Sequence, residues 1–417
     1  IFAPWIVKNG LYALTADSNI GQLDVTVRLL RIMLPTVVVF GVSGLVMGML
    51  NAHRSFLIPA LAPAMYSLGI IFGTVALPKS WGVDRLAVGV LLGASGHLLL
   101  QLPSLFRLPE RAYHAAVGLK DKAVRQVLQL MLPRLIGAGV VQLNFVANTI
   151  IALSLGEGAA SAVALAFTLM LMPQRAIAQS AGIASLPTLS QQAELGQFEQ
   201  MRETIAKILR GMILLALPAS IGLILLRVPL VSVLYERGEF GAESTQLVAW
   251  ALLWYSAGLV GHSLVEVLSR AFYALHDTRT PVAVGVGAMT LNIGLSFLLA
   301  SWFRSIGWMP HGGLALANSA ATGLESLLLL ELLRRRLKGI EGRRILRGTA
   351  TALAASALMG LAVYGWIRLR PDASGLTVLL GGIGFGVLAY ALGLKLLRVP
   401  ELDSVLALVR RRLRARA

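Results

Sequence analysis

Apolar residues in this chain come in runs of about twenty, one after another, and the runs do not alternate with polar positions. A hydrocarbon core of about 30 Å is crossed by about 20 apolar residues in a helix. Membrane strands would instead need alternating segments of about ten residues. The pattern predicts an all-α polytopic membrane bundle with eleven spans: 31–51, 56–77, 86–107, 126–155, 159–187, 208–234, 247–275, 281–301, 312–334, 347–368 and 375–396. Residues 1–7 (IFAPWIV) read as the tail of an earlier span, so the chain is expected to be truncated at its N-terminus. No hydrophilic stretch is long enough for a soluble domain. The longest, 188–207, reads as an amphipathic connector on the membrane surface.

Composition agrees with that pattern. Of the 417 residues 56% are hydrophobic and only 14% are charged, against about 25% charged in soluble domains. The absence of cysteine excludes disulfides, thiolate metal sites and cysteine nucleophiles. A net charge of +17 would point to nucleic acid in a soluble protein, but in a membrane protein it first reports topology. Of the 37 Lys and Arg, 24 fall in the loops 52–55, 108–125, 188–207, 276–280, 335–346, the C-terminal tail and the adjoining helix ends. Ten lie on the other side, and Arg134, Arg175 and Arg270 lie within spans. That asymmetry places the C-terminal RRRLRARA in the cytoplasm and calls for no nucleic-acid partner. Eleven spans then put Ile1 outside, which an odd number of further helices upstream would explain.

Polar groups inside the spans are the candidates for function, because a charge at mid-bilayer costs about 2.5–3.5 kcal/mol on insertion scales. His262, Glu266 and Arg270 recur every four residues and form one stripe. They are either a cavity lining with a titratable histidine or a neutralised Glu–Arg pair. Thr168, Arg175 and Gln179 share a face of a helix interrupted by Pro173, a candidate anion-attracting wall. Asn318, Thr322 and Glu325 share another face, and Asn292, Asn144 and Asn148 stand on neighbouring spans. Their oxygens suit a hard cation such as Na⁺, or simply bond helix to helix. His97 and Gln101, again four apart, read as a helix contact. Glycines spaced as Gly41, Gly44 and Gly48 are expected to allow close helix approach. No G-x-S-x-G, H-E-x-x-H or P-loop occurs, so the chain does not read as an enzyme and no resident cofactor is expected.

Several segments, in order along the chain, resemble the MurJ/MviN family of lipid II flippases, in the MATE-like exporter superfamily. They are GMLNAHRSFLIPALAP around Asn51, Pro59 and Pro63; Gln101-Leu-Pro103; LPRLIGAGVVQLNFVANTIIA with Pro133, Gln142, Asn144 and Asn148; Leu186-Pro-Thr-Leu-Ser190; Leu217-Pro218-Ala219 running to Tyr235-Glu-Arg-Gly238-Glu-Phe240; and RAFYALHDTRTP from Arg270 to Pro281. The resemblance implies fourteen helices in two six-helix lobes around a central cavity, with two final helices forming a groove for a lipid tail. On that plan the eleven spans match helices four to fourteen. Residues 1–155 are the remainder of the first lobe and the opening helix of the second, 156–334 the rest of the second, and 335–417 the final helices with the basic tail.

The function implied is transfer of an undecaprenyl-diphosphate-linked peptidoglycan precursor across the bacterial inner membrane by alternating access. Arg175, Arg270, Thr168, Gln179, Arg134, Gln142 and Asn144 are the expected cavity residues. His262 and Glu266 are candidates for coupling to H⁺, and Asn148, Asn292, Asn318, Thr322 and Glu325 for a coupling cation such as Na⁺. Lipid II, the bilayer and other membrane proteins of cell-wall synthesis are the implied partners. One departure stands out. Where the family usually has Ala-Asp-Arg-Leu, this chain has Ala166-Phe167-Thr168-Leu169. Arg175, seven residues on, is the candidate to carry the displaced charge. Export of another polyprenyl-linked glycan or a small molecule, and a non-transporting scaffold of cell-wall synthesis, are the alternative readings.

Overall fold

The computed structural model describes residues 3–11, 20–53, 55–107, 122–370 and 373–399. The helices are α1 (Ala3–Ile6), α2 (Ile20–Met33), α3 (Pro35–Ala52), α4 (Leu57–Ala76), α5 (Asp84–Phe106), α6 (Lys122–Ser154), α7 (Ala159–Gln174), α8 (Ser180–Glu194), α9 (Phe198–Tyr235), α10 (Ala242–Ala257), α11 (Leu259–Ala274), α12 (Arg279–Ser305), α13 (His311–Arg336), α14 (Gly342–Leu369) and α15 (Gly375–Leu396). Among the described residues the only β pairing is one bridge between Arg237 and Phe240. Among the described residues nine helices, some joined end to end, are long and apolar enough to cross a membrane, and α10 with α11 makes a tenth as a bent pair. The 33-residue α6 overlaps the predicted span 126–155 but is not one of these. The chain is a multi-pass membrane protein.

Two compact units divide it, Ile1–Leu132 and Pro133–Ala417. In the first, α4 and α5 form a hairpin whose backbones touch. A Cβ added at Gly69 would lie 2.2 Å from the Cα of Gly93, and one at Gly73 would lie 2.6 Å from the Cα of Gly89. Among the described residues, the close approach expected at Gly41, Gly44 and Gly48 is not found there. A Cβ at any of these three α3 glycines meets nothing within 4 Å. Instead α3 joins α5 through polar groups. Ser43 Oγ lies 2.6 Å from His97 Nδ1, and Gln101 Nε2 donates to Ser43 Oγ at 2.7 Å. His97 and Gln101 therefore make the helix contact that their spacing predicts.

The second unit is built around α9, whose 38 residues run from Phe198 to Tyr235. Met201, Ile205 and Leu209 at its N-terminal end pack with Val267, Leu268 and Phe272 of α11 and with Leu329 and Leu333 of α13. On α9 and α13 these recur every four residues, as a helix face buried against neighbours requires.

Three spans differ from the sequence-based expectation. The span predicted at 247–275 is two helices bent by 47°. The bend falls at Gly258, where a Cβ would lie 2.4 Å from Ser319 Oγ. Breaking the helix frees carbonyls, and hydroxyls take them: Ser319 Oγ donates to Trp254 O at 2.7 Å, and Ser220 Oγ donates to Ser256 O. The connector predicted at 188–207 is not one surface helix. α8 runs on to Glu194 and α9 starts at Phe198, leaving a three-residue turn. The span predicted at 31–51 begins earlier, as Leu23–Ala52.

Candidate functional site

The second unit contains a groove of about 760 Å³ lined by α7, α9, α14 and α15. Its walls are Leu, Met, Val, Ile, Ala, Pro and Gly, with Tyr390 the one lining side chain that carries a hydroxyl. That hydroxyl is turned away to donate to Leu214 O. Along α9 the lining runs from Gly211 to Leu234, a rise of about 35 Å at about 1.5 Å per residue. The groove is therefore long enough to cross a hydrocarbon core of about 30 Å. Gly222 leaves part of it open, since a Cβ there would meet nothing within 4 Å.

The span formed by α7 and α8 carries the polar face. Pro173 has no N–H, so the carbonyl one turn before it loses its helical donor. The helix widens into a π turn over Arg175–Gln179 before resuming as α8, a distortion frequent at functional sites. Thr168, Arg175 and Gln179 are exposed, whereas Gln174 between them is buried. Phe167 packs edge-on against Phe145 and His262 and tilts onto Tyr255. Phe167 is thus a packing residue, and Arg175 lies on the exposed face.

On α11 the polar stripe is present but spoken for. Arg270 Nε donates to Glu266 Oε1 at 3.1 Å, and Arg270 Nη2 bonds the same oxygen. α8 lies directly on this arginine, because a Cβ at Gly182 would stand 2.6 Å from Arg270 Nε. His262 Nε2 is 2.9 Å from Asn318 Oδ1 on α13. The structure thus joins His262 to Asn318 across two helices, and Glu266 to Arg270 within α11.

Asn144 and Asn148 of α6 meet Asn292 of α12. Both amides donate to Asn292 Oδ1, at 3.1 and 2.8 Å, and Ser296 Oγ donates to Asn148 Oδ1 at 3.1 Å. Asn292 is only 2% exposed. Each oxygen that would face a cation already accepts a hydrogen, and no carboxylate takes part in the cluster among the described residues. Interhelical bonding accounts for these three residues. Thr322 is buried, and Glu325 is half-buried with Gly285 facing it, a Cβ there lying 3.4 Å from Oε1. Among the described residues no hydrogen bond links Asn318, Thr322 or Glu325 to the Asn292 cluster, and no group of three or more His, Asp or Glu could hold a metal ion. Gln142 is exposed. The side chain of Arg134 lies outside the described residues.

The segment Arg270 to Pro281 also forms the corner between α11 and α12. His276 takes φ +56°, and Asp277 N donates back to Phe272 O at 2.9 Å. Asp277 then caps α12 by accepting from Thr280 N at 3.0 Å and Thr280 Oγ1 at 2.8 Å, and it pairs with Arg336 of α13. The Thr280 N–H, first of these influences, holds the Asp277 carboxyl below the usual carboxylate range.

The resemblance implies a groove at the two final helices, and α14 and α15 do line one; the share of α7 and α9 in its walls was not foreseen, because their leucines and glycines look like any lipid-facing residues. Ser43, the third member of the His97–Gln101 set, was also missed. A lone serine in an apolar span carries no signal until its partner is placed opposite.

Residues 1–380 match the family model described as lipid II flippase MurJ. The lipid II flippase MurJ of Burkholderia cenocepacia is 32% identical over 339 residues, covering 80% of this chain and 64% of that protein. A probable lipid II flippase MurJ of Bdellovibrio bacteriovorus is 32% identical over 401 residues, covering 93% of this chain and 74% of the relative. A solved structure titled lipid II flippase MurJ, inward closed conformation, shares the fold with a TM-score of 0.78 at 22% identity, covering 95% of this chain and 78% of that one.

Proposed function

Since the chain belongs to the MurJ family of lipid II flippases, a family of transporters and not of catalysts, we propose that it carries a polyprenyl-diphosphate-linked peptidoglycan precursor from the cytoplasmic to the outer leaflet of the bacterial inner membrane. The groove of α9, α14 and α15 is the observation that carries this reading. A diphosphate-linked sugar cannot enter hydrocarbon without a cost of many kcal/mol, whereas its prenyl tail has no reason to leave it. A carrier for such a molecule needs a dry track for the tail and a polar route for the headgroup. The track is the groove, about 35 Å long and free of exposed polar side-chain atoms in its walls. The route is the polar face marked by Thr168, Arg175 and Gln179, with Gln142, Asn144 and Arg134 as further members.

Arg175 is the cation that meets the diphosphate, through charge-assisted hydrogen bonds. Arg270 takes part only by exchanging Glu266 for substrate. His262 and Glu266 then couple transport to protons, since release of Glu266 from its partner exposes a carboxylate that can take one up. No resident cofactor is needed. The C-terminus lies in the cytoplasm, where the basic loops collect. Residues 1–155, 156–334 and 335–417 serve as the family plan assigns them, and contacts with other membrane proteins of cell-wall synthesis would deliver and receive the lipid.

Tail length is the test. In proteoliposomes, a fluorescent sugar on an undecaprenyl diphosphate is expected to cross at least tenfold faster than the same sugar on a two-isoprene diphosphate. Equal rates would sink the reading. In the same assay under a proton gradient, His262→Gln combined with Glu266→Gln is expected to flatten the pH dependence, and an unchanged profile removes the coupling assignment.

A further inference from the structure

A second cavity, of about 420 Å³, lies between α8 and α9. Its chemistry changes along its length. Ile177, Ala181, Met212 and Leu215 line one end, and Thr188, Thr204 and Lys207 the other. Gly211 and Leu215 line both this cleft and the groove. The two are therefore adjoining, and Lys207 stands one helical turn, about 6 Å, from the shared glycine. The charge asymmetry of the loops puts this end on the cytoplasmic side.

The polar end is set up for an anion. Lys207 is exposed and makes no ion pair among the described residues. Thr204 Oγ1 accepts from Gln192 Nε2 at 3.0 Å, which leaves its own hydrogen to donate. Thr188 adds a second hydroxyl on the facing helix, and no carboxylate lines the cleft. One ammonium and two hydroxyl donors at the mouth of an apolar track match a lipid phosphate. The length of the track selects among lipids. A phospholipid chain ends near the bilayer midplane, about 15 Å in, whereas this groove runs about 35 Å.

We propose that the α8–α9 cleft docks the diphosphate of a polyprenyl lipid on the cytoplasmic side while its tail lies in the groove, before the headgroup moves to the polar face. This rests on the flippase reading above and adds a loading position to it. A lipid held there already has its tail in the track, so translocation needs only the headgroup to move.

The test is binding of undecaprenyl diphosphate to the purified full chain in nanodiscs of neutral phospholipid, measured by thermophoresis. Lys207→Gln is expected to weaken binding about tenfold, as loss of one charged hydrogen bond would. Lys207→Arg should restore most of it, and Lys79→Gln, a cation of the first unit, should change nothing. Melting temperatures of the variants report their folding. Undiminished binding by a folded Lys207→Gln protein overturns the docking site and leaves the flippase reading intact. No binding by the unaltered chain overturns that reading itself. Phosphatidylglycerol displacing the diphosphate at equal mole fraction, with the same dependence on Lys207, would make the cleft a phospholipid site and also overturn the proposal.

Discussion

Glycine does opposite things in two regions of this molecule. In the α4–α5 hairpin, Gly69, Gly73, Gly89 and Gly93 let one backbone lie against another, and the space that a side chain would fill is taken by main-chain atoms. In the groove, Gly222 sits between leucines on α9 and the space stays empty. The first arrangement locks two helices together by close van der Waals contact. The second leaves a channel open in an otherwise well-filled wall. Glycine content alone tells these apart no better than it tells a hinge from a seam. What decides is whether the backbone of a neighbouring helix reaches the glycine.

The contrast can be broken at three places. Gly93→Leu has the largest expected effect. Its Cβ would meet Tyr66 O at 2.6 Å, and backbone cannot yield as a side chain can. Such overpacking costs about 3 kcal/mol or more, so the variant is expected to lose its cooperative melting transition in detergent. A folded Gly93→Leu protein would show that the seam is dispensable. Gly222→Phe comes next. The ring enters open space, so melting should shift by no more than a few degrees while translocation of the long-tailed lipid falls at least tenfold. Normal transport would mean that the tail runs elsewhere. Gly44→Ala is the smallest. With nothing near its Cβ, it should raise stability by about 0.5–1 kcal/mol through helix propensity alone, read as a small rise in melting temperature. A loss would reveal a close contact of α3 that this glycine serves.

Spans and their order were legible in the sequence because hydropathy is summed over twenty residues, and small local errors cancel. So were pairs that one helix brings together by itself. His97 with Gln101 and Glu266 with Arg270 are four apart, and the structure bonds both. Groups that need two helices were half legible. Asn144, Asn148 and Asn292 could be picked out as polar residues in apolar spans, but whether their oxygens point at a cation or at each other's amides depends on the approach of α6 to α12. The bend at Gly258 was hidden for a different reason. Hydropathy continues unbroken across 247–275, and only Ser319 and Ser220, 61 and 38 residues away, show where the helix can afford to stop. Lys207 was legible as a basic loop residue and no more, because the cleft it lines forms only where α8 turns back along α9.

The bend in the α10–α11 span has a mechanical meaning. Its two released carbonyls belong to the end of α10 and are held by serines from α9 and α13, so α10 cannot swing without dropping both bonds inside hydrocarbon, where water offers no replacement. It behaves as a brace. The stripe of His262, Glu266 and Arg270 lies beyond the bend, so α11 leaves a fixed post at Gly258, and α9, α10 and α13 are tied to one another where it departs.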